Sequence, residues 1–385
     1  MTLSEENKQI VILDIRDSPW CDGPGRTVIE VASGLRSQAI DIKIGSFVSD
    51  ADAKSDYLAK ARERGLDCLE IKESKMFDYG IIRQILEVHK QTPIDIIHTH
   101  DLRSNFYGLI AARKLKLPIV STMHGWVENS LKRKIVMFFG NILLSYFFDT
   151  VITVSNKAEE RLRKYQPTSK LITIHNTLVT REYRITESDS IRRSLNITKD
   201  MPLIAKIGRL SPEKRQERLI SAVKRVVDEG YQFRLLLIGI GPDEEKLRKM
   251  IDEMGLSGII SFSGFIRDML PVYSELDLVV QTSSTEGLPN VILESMLMRV
   301  PVIATDVGGT SEVINSSETG TLIEPDNEEA LVAELKSFLD SPEPYRQKLD
   351  KAEERIRQHF DSDIRMEKMA SLFRSMVNRA EVRNP

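Results

Sequence analysis

The chain predicts a doubly wound α/β protein built in two halves. Short apolar, β-branched runs alternate with amphipathic stretches from end to end. These runs are apolar on both faces, as strands of a buried parallel sheet are. The alternation lapses once, from Thr180 to Met201, and then restarts. Alternation of this kind implies right-handed βαβ units on each side of the lapse.

In the first half, Ile10–Leu13 reads as a strand and Thr27–Arg36 as a helix. Asp41–Val48 and Ala53–Arg64 repeat the pair. Asp95–His98 and Pro118–Ser121 are strands with a helix between them, and Thr150–Ser155 and Leu171–His175 continue the series. Polar and charged residues with no sustained apolar period follow, and 181–200 reads as a linker. Strands resume at Leu203–Ile207, Arg234–Ile238, Ile259–Ser263, Leu278–Gln281 and Val302–Thr305. The tail Pro342–Ala380 reads as helical. Met366, Met369, Leu372, Phe373 and Met376 recur at helical spacing, which by itself suggests a last helix packed on its own domain. The expected divisions are 1–180, 181–200, 201–360 and 361–385.

At 385 residues, two or three domains are expected. An apolar content of 41% with 29% charged residues is that of a soluble globular protein. A net charge of -3 gives no case for nucleic acid as a partner. Only Cys21 and Cys68 occur, which points to a reducing, cytoplasmic setting, and no Cys/His cluster has zinc spacing. Met1–Gln9 is polar and has no apolar signal core. No run approaches the roughly 18 apolar residues that span a bilayer. The nearest, Ile135–Phe148, is broken by Gly140, Asn141 and Ser145. Lys132–Lys134 precede it, so 132–148 is either a peripheral contact with an anionic membrane or a buried helix with a charged end.

The richest segment is Glu286-Gly287-Leu288-Pro289-Asn290-Val291-Ile292-Leu293-Glu294. Pro289 suits the first position of a helix. Glu286 then lies in the loop before it and Glu294 in its second turn. The open N–H groups of the first turn can hold a phosphate or hydroxyl-rich ligand between the two carboxylates. Gly208-Arg209-Leu210-Ser211-Pro212-Glu213-Lys214 follows the first strand of the second half. A guanidinium fork and a compact ammonium together suit a diphosphate, although a solvated loop has the same composition. Ile238-Gly239-Ile240-Gly241-Pro242 begins like a dinucleotide fingerprint, but Glu244 replaces the third glycine and weakens a nicotinamide reading. Gly241 reads as a tight turn, with or without a nucleotide above it.

In the first half, Asp22-Gly23-Pro24-Gly25-Arg26 follows the first strand. It is either a plain βα turn or a loop whose glycines let backbone approach a ligand, with Arg26 facing an anion. His124-Gly125 ends another strand. His98, His100 and His175 also stand at strand ends, so position alone does not single out His124. Asp50-Ala51-Asp52 and Asp361-Ser362-Asp363 have a metal-binding spacing, but both read better as helix-entry residues.

Together these motifs resemble glycosyltransferase family 4, in kind and in order along nearly the whole chain. Glu286 to Glu294 is similar to the family's Glu-x7-Glu motif, and Gly208-Arg209 with Lys214 to its diphosphate pair. Ala304–Gly309 is similar to the loop that commonly follows. Gly23, Gly25 and His124-Gly125 match the N-domain motifs more loosely, since Pro24 separates glycines that are often adjacent.

The resemblance implies a GT-B fold: two Rossmann-like doubly wound domains facing an interdomain cleft, the last helix crossing back to the N-domain. It implies a retaining transfer from a nucleotide diphosphate sugar to a carbohydrate or lipid-linked acceptor, with no metal or other cofactor. In that reading Glu294 binds ribose and Glu286 the transferred sugar, with backbone from Gly287, Leu288, Asn290 and Val291. Arg209 and Lys214 carry the leaving phosphates, His124 contacts the sugar, Gly23, Gly25 and Gly241 border the donor, and Asp22 and Arg26 lie on the acceptor side. Another GT-B enzyme, an epimerase or phosphorylase, or a non-catalytic sugar-binding protein would share most of these features.

Overall fold

The structure is a computed structural model that describes residues 9–49, 55–74, 78–125, 139–140, 144, 146–164, 170–186 and 188–383. Asp50–Asp52 and most of 132–148 lie outside the described residues. Among those described, no helix is long and apolar enough to cross a membrane.

Two compact units are present. The first holds the described residues through His124, those from Phe139 to Asn176, and the last helix, Ser362–Arg383. The second holds Gly125 and Thr177–Asp361.

The first unit has a seven-stranded parallel sheet. Its strands are β1 Ile10–Arg16, β2 Ile40–Ser49, β3 Cys68–Glu73, β4 Ile96–Thr99, β5 Ile119–Met123, β6 Thr150–Thr153 and β7 Leu171–Thr173. They lie in the order β3-β2-β1-β4-β5-β6-β7. The second unit has a six-stranded parallel sheet of β8 Leu203–Ile207, β9 Arg234–Ile238, β10 Ile260–Gly264, β11 Leu278–Gln281, β12 Val302–Thr305 and β13 Thr321–Ile323, in the order β10-β9-β8-β11-β12-β13. Both are doubly wound, as the alternation requires. Ile204, Leu235 and Leu237 enter one core, and Leu203, Ala205 and Leu236 enter another, so both faces of the second sheet are covered.

The two strands not read from sequence, β3 and β13, are the outermost strands of their sheets. β3 alternates polar residues toward solvent, and β13 has only three residues, so neither makes a continuous apolar run.

The first helix, Gly23–Leu35, starts earlier than its apolar pattern suggests. Asp22 caps it: its Oδ1 accepts from the Gly25 N–H at 2.9 Å. The stretch 181–200 is not a linker but part of the second unit. Its short helix Ser190–Ser194 is built around Arg192, which is buried. That guanidinium donates to the carbonyls of Met201 at 2.8 Å and Glu275 at 2.9 Å and to Asp277 Oδ2 at 2.6 Å. The Arg192 N–H in turn donates to Glu275 Oε2 at 2.8 Å. Such a polar lock has no apolar period to betray it. Removing one partner of a buried pair costs about 3–5 kcal/mol. Arg192→Ala should therefore lower the urea midpoint strongly while Arg193→Ala, on an exposed side chain, should not.

The tail is three helices, Glu343–Arg346, Leu349–His359 and Ser362–Arg383. Met366, Met369, Leu372, Phe373 and Met376 of the last one belong to the core of the first unit, with Val28, Val31 and Leu35. Gly34 admits that packing: a Cβ there would stand 2.9 Å from the Met366 sulfur. Arg365 fastens the helix by donating to the His175 carbonyl at 2.8 Å and to Asn176 Oδ1 at 3.0 Å.

Candidate active site

In a doubly wound sheet, ligands bind beyond the carboxyl ends of the strands where the strand order reverses. In the second unit that point lies between β8 and β11. The polar side chains of both strand ends gather there.

Glu286 is the centre of the group. Its Oε1 accepts from Lys214 Nζ at 2.7 Å and from Gln281 Nε2 at 2.9 Å. Gln281, the last residue of β11, accepts in turn from Lys206 Nζ of β8. Burial alone would raise the Glu286 carboxyl, but Lys214, and at longer range Lys206, hold it below the ordinary range. It is therefore an ionised acceptor at neutral pH. Lys214 has three N–H donors, so pairing with Glu286 leaves capacity for a second anion.

Lys206 is fully buried and was not legible as a site residue, because a lone lysine inside an apolar strand has no motif. Burial and repulsion from Lys214 bring its ammonium down to about 7, against the pull of Glu286. Between about 7 and the ordinary lysine value of 10.5, the unfolded chain then binds a proton that the folded chain does not. The penalty is full below about pH 7 and is relieved as pH rises toward 10.5. Stability should rise across that window by up to about 1.4 kcal/mol per pH unit. The difference in unfolding free energy between wild type and Lys206→Met, measured from pH 7 to 9, should show this slope. Parallel curves would refute it.

Glu294 stands apart from this group. The helix covers Asn290–Leu297, and Pro289 is its N-cap rather than its first residue. Glu294 is buried, with Oε2 accepting from the Tyr273 hydroxyl at 2.7 Å and Oε1 from Tyr183 at 3.3 Å. Burial, then the Glu294 charge, pushes the Tyr273 hydroxyl far above its usual range, so it stays a donor. Neither tyrosine was read from sequence. At the helix start, the Asn290 Oδ1 is buried without a hydrogen bond. Leu288 is buried, and Val291 packs on the core.

The Ala304–Gly309 loop braces the segment. Gly309 N–H donates to the Gly287 carbonyl at 2.7 Å. Gly308 has φ 54°, and a Cβ there would lie 1.8 Å from the Glu286 carbonyl oxygen, so no other residue fits. Gly241 packs just as tightly on the other loop, since its Cβ would meet the Leu210 carbonyl oxygen at 2.1 Å. Arg209, between Gly208 and Leu210, is exposed.

The first unit has its own polar group where β1 meets β4. Asp14 and His98 are direct register partners. Asp14 is buried, with Oδ2 2.8 Å from His98 Nδ1 and 2.9 Å from His100 Nε2. His100 Nδ1 lies 2.9 Å from His124 Nε2, and His98 Nε2 2.8 Å from Thr122 Oγ1. Burial would raise Asp14, but His100 and His98 outweigh it and hold the carboxyl below its usual range. Asp14, His98 and His100 are the group of described residues whose ligand-type atoms lie within 4.8 Å of one another. No metal role is assigned to them.

Gly23 and Gly25 fall inside the first helix and not in a free loop. The bare Cα of Gly25 makes room for Arg16, whose Nη1 would lie 2.5 Å from a Cβ. Arg16 is buried and pairs with Asp22 at 3.0 Å. Asp22 thus both caps the helix and holds a buried cation, and Arg26 follows in the same turn. Alternation along β1 could have flagged Asp14 and Arg16, which share one face two residues apart, but both were hidden among apolar neighbours.

Residues 21–182 match the family model Glycosyltransferase Family 4, and residues 187–356 match Glycosyl transferases group 1. The chain is 28% identical over 253 residues to an uncharacterized glycosyltransferase of Methanocaldococcus jannaschii, covering 62% of this chain and 64% of that one. It is 24% identical over 294 residues to the N-acetyl-alpha-D-glucosaminyl L-malate synthase of Bacillus anthracis, covering 74% and 76%. It is 23% identical over 322 residues to the capsular polysaccharide biosynthesis glycosyltransferase CapM of Staphylococcus aureus, covering 78% and 82%. Among solved structures, Anabaena HepE in complex with UDP-glucose matches with a TM-score of 0.84 at 20% identity, over 95% of this chain and 100% of that one. At that identity the likeness is one of fold.

Proposed function

The chain belongs to glycosyltransferase family 4, with the GT-B fold, and from that premise we propose that it moves a sugar from a nucleotide diphosphate sugar to an acceptor hydroxyl with retention of configuration. The observation that carries this reading is the Glu286 cluster: an ionised carboxylate, a lysine with spare donors, and a helix start, all at the switch point of one sheet.

The chemistry follows from the charges. Lys214 and Arg209 take the diphosphate and stabilise it as it leaves, without requiring a metal. Glu286, with no proton to give, accepts from hydroxyls of the transferred sugar and fixes its orientation. Glu294 takes the ribose hydroxyls, aided by backbone at Gly287, Leu288, Asn290 and Val291. The departing phosphate oxygen accepts the acceptor proton on the face it leaves, which keeps the configuration. A glycosidase pair would flank one bond with both carboxyls, one of them protonated. Here Glu294 stands apart from the Glu286 group and accepts from the Tyr273 and Tyr183 hydroxyls. His124 contacts the sugar, and Gly241 borders the donor. Asp22 and Arg26 lie on the acceptor side.

The CapM relative, named for capsular polysaccharide biosynthesis, and the UDP-glucose complex of HepE favour a UDP-linked hexose and a polysaccharide acceptor. The test is incubation with UDP-, GDP- and ADP-linked hexoses and a panel of glycan acceptors. Acceptor-dependent release of nucleoside diphosphate, and an NMR product with the donor's anomeric configuration, are expected. Donor epimerisation without acceptor, phosphate-dependent cleavage, or binding without turnover would overturn the proposal.

A further inference from the structure

The buried chain Asp14–His100–His124 has only one arrangement of protons that satisfies every contact with neutral rings. An ionised carboxylate has no proton, so His100 Nε2 must donate to Asp14, 2.9 Å from both of its oxygens. His98 Nδ1 also lies 2.8 Å from Asp14 Oδ2 but makes no hydrogen bond there, so His98 is not a link in this chain; its Nε2 lies 2.8 Å from the Thr122 hydroxyl. A neutral His100 is then bare at Nδ1. The 2.9 Å contact to His124 therefore needs the His124 proton on Nε2. That leaves His124 Nδ1 bare, and this atom is buried with no hydrogen-bond partner. A buried acceptor without a donor costs about 1–3 kcal/mol and calls for an explanation.

We propose that Asp14 and His100 are positioning residues that lock the His124 proton on Nε2, so that Nδ1 stands open as an acceptor for a substrate hydroxyl. Burial, then the neighbouring His100 and the guanidinium groups of Arg16 and Arg365, push His124 well below the usual histidine range, which keeps the ring neutral. His124 then accepts hydrogen bonds and gives none at Nδ1, so it selects an O–H donor and cannot serve there as a general acid. The substrate part of this inference rests on the proposed transfer; the tautomer part does not.

The two parts are tested separately. With nitrogen-15 histidine labelling, the six imidazoles are few enough to assign by comparison with His124→Gln. Long-range proton–nitrogen correlation spectra should show wild-type His124 protonated at Nε2 and bare at Nδ1. In Asp14→Asn one of the two oxygens within 2.9 Å of His100 Nε2 becomes an amide donor, so the carboxylate no longer fixes the His100 proton on Nε2, and His124 should populate both tautomers. If that variant does not fold, His100→Phe removes the acceptor for His124 Nε2–H and should leave both tautomers populated. Thr122→Val touches only His98 and should leave His124 unchanged. A wild-type His124 protonated at Nδ1, or a tautomer indifferent to both variants, overturns the relay.

In the kinetic arm, Asp14→Asn should lower kcat about ten- to a hundredfold. Its nucleotide affinity should stay within about twofold, because the nucleotide contacts are assigned to the second unit. A mixed tautomer with kcat unchanged would uphold the relay and overturn the assignment of His124 to the substrate.

Discussion

Glu286→Gln is expected to lower sugar transfer by about a hundred- to a thousandfold, the loss seen when one preorganised transition-state contact is removed. The side chain keeps its shape, so Lys214 and Gln281 keep a neighbour of the same size. Its charge is what disappears. Lys206 and Lys214 then face each other without the carboxylate that offsets them. Two readouts follow. The turnover number falls, because a neutral amide orients the sugar hydroxyls more weakly than an anion does. Donor affinity falls far less, because the diphosphate meets a more positive cluster than before. A circular dichroism spectrum and thermal midpoint within a few degrees of wild type would show that the fold is kept. Full activity in this variant would remove Glu286 from the proposed mechanism.

Glu294→Gln should instead weaken donor binding, and the free nucleoside diphosphate should be weakened equally. A hydrogen bond to a charged group is worth about 1.5–3 kcal/mol, or roughly ten- to 150-fold in affinity. Gln retains one oxygen for Tyr273, whose buried hydroxyl would otherwise lose its acceptor. The fold should therefore survive. Calorimetric titration with UDP, GDP and ADP separates the two glutamates: Glu294→Gln weakens all of them, and Glu286→Gln leaves the free nucleotides nearly unchanged. If the two variants behaved alike toward free nucleotide, the division of sugar from ribose would fail.

Local chemistry written in consecutive residues could be read directly. The strands Leu203–Ile207, Arg234–Ile238, Leu278–Gln281 and Val302–Thr305 were read with the bounds they have, because each is a short apolar run between helices. Glu286, Glu294, Arg209 and Lys214 stand out as candidates because glycine and proline punctuate the segments that carry them. Gly23 and Gly25 were legible as special positions but misplaced. The need for glycine at position 25 comes from Arg16, nine residues away in sequence, and not from a loop.

Other residues were hidden because their partners are far apart along the chain. Lys206 and Gln281 touch over 75 positions, and Asp14 and His100 over 86. A buried charge inside a strand has no periodic signal, and its neighbours make it look like a misplaced polar residue. The segment 181–200 failed for the same reason. It is held by Arg192 against Glu275 and Asp277 rather than by an apolar face, so composition described a linker where tertiary contacts build a lock.

The Met-rich tail shows the division most plainly. Its period determined that Met366, Met369, Phe373 and Met376 share a face, because 3.6 residues per turn is a property of the backbone. Which core that face enters was decided only by the fold, through Gly34 and Arg365 in the first unit. By itself the sequence determined the doubly wound class and singled out Glu286, Glu294, Arg209 and Lys214 as candidates for the proposed donor site, since both readings depend on local spacing. Tertiary structure alone decided the partners that set their charge, since electrostatics depends on distance in space and not along the chain.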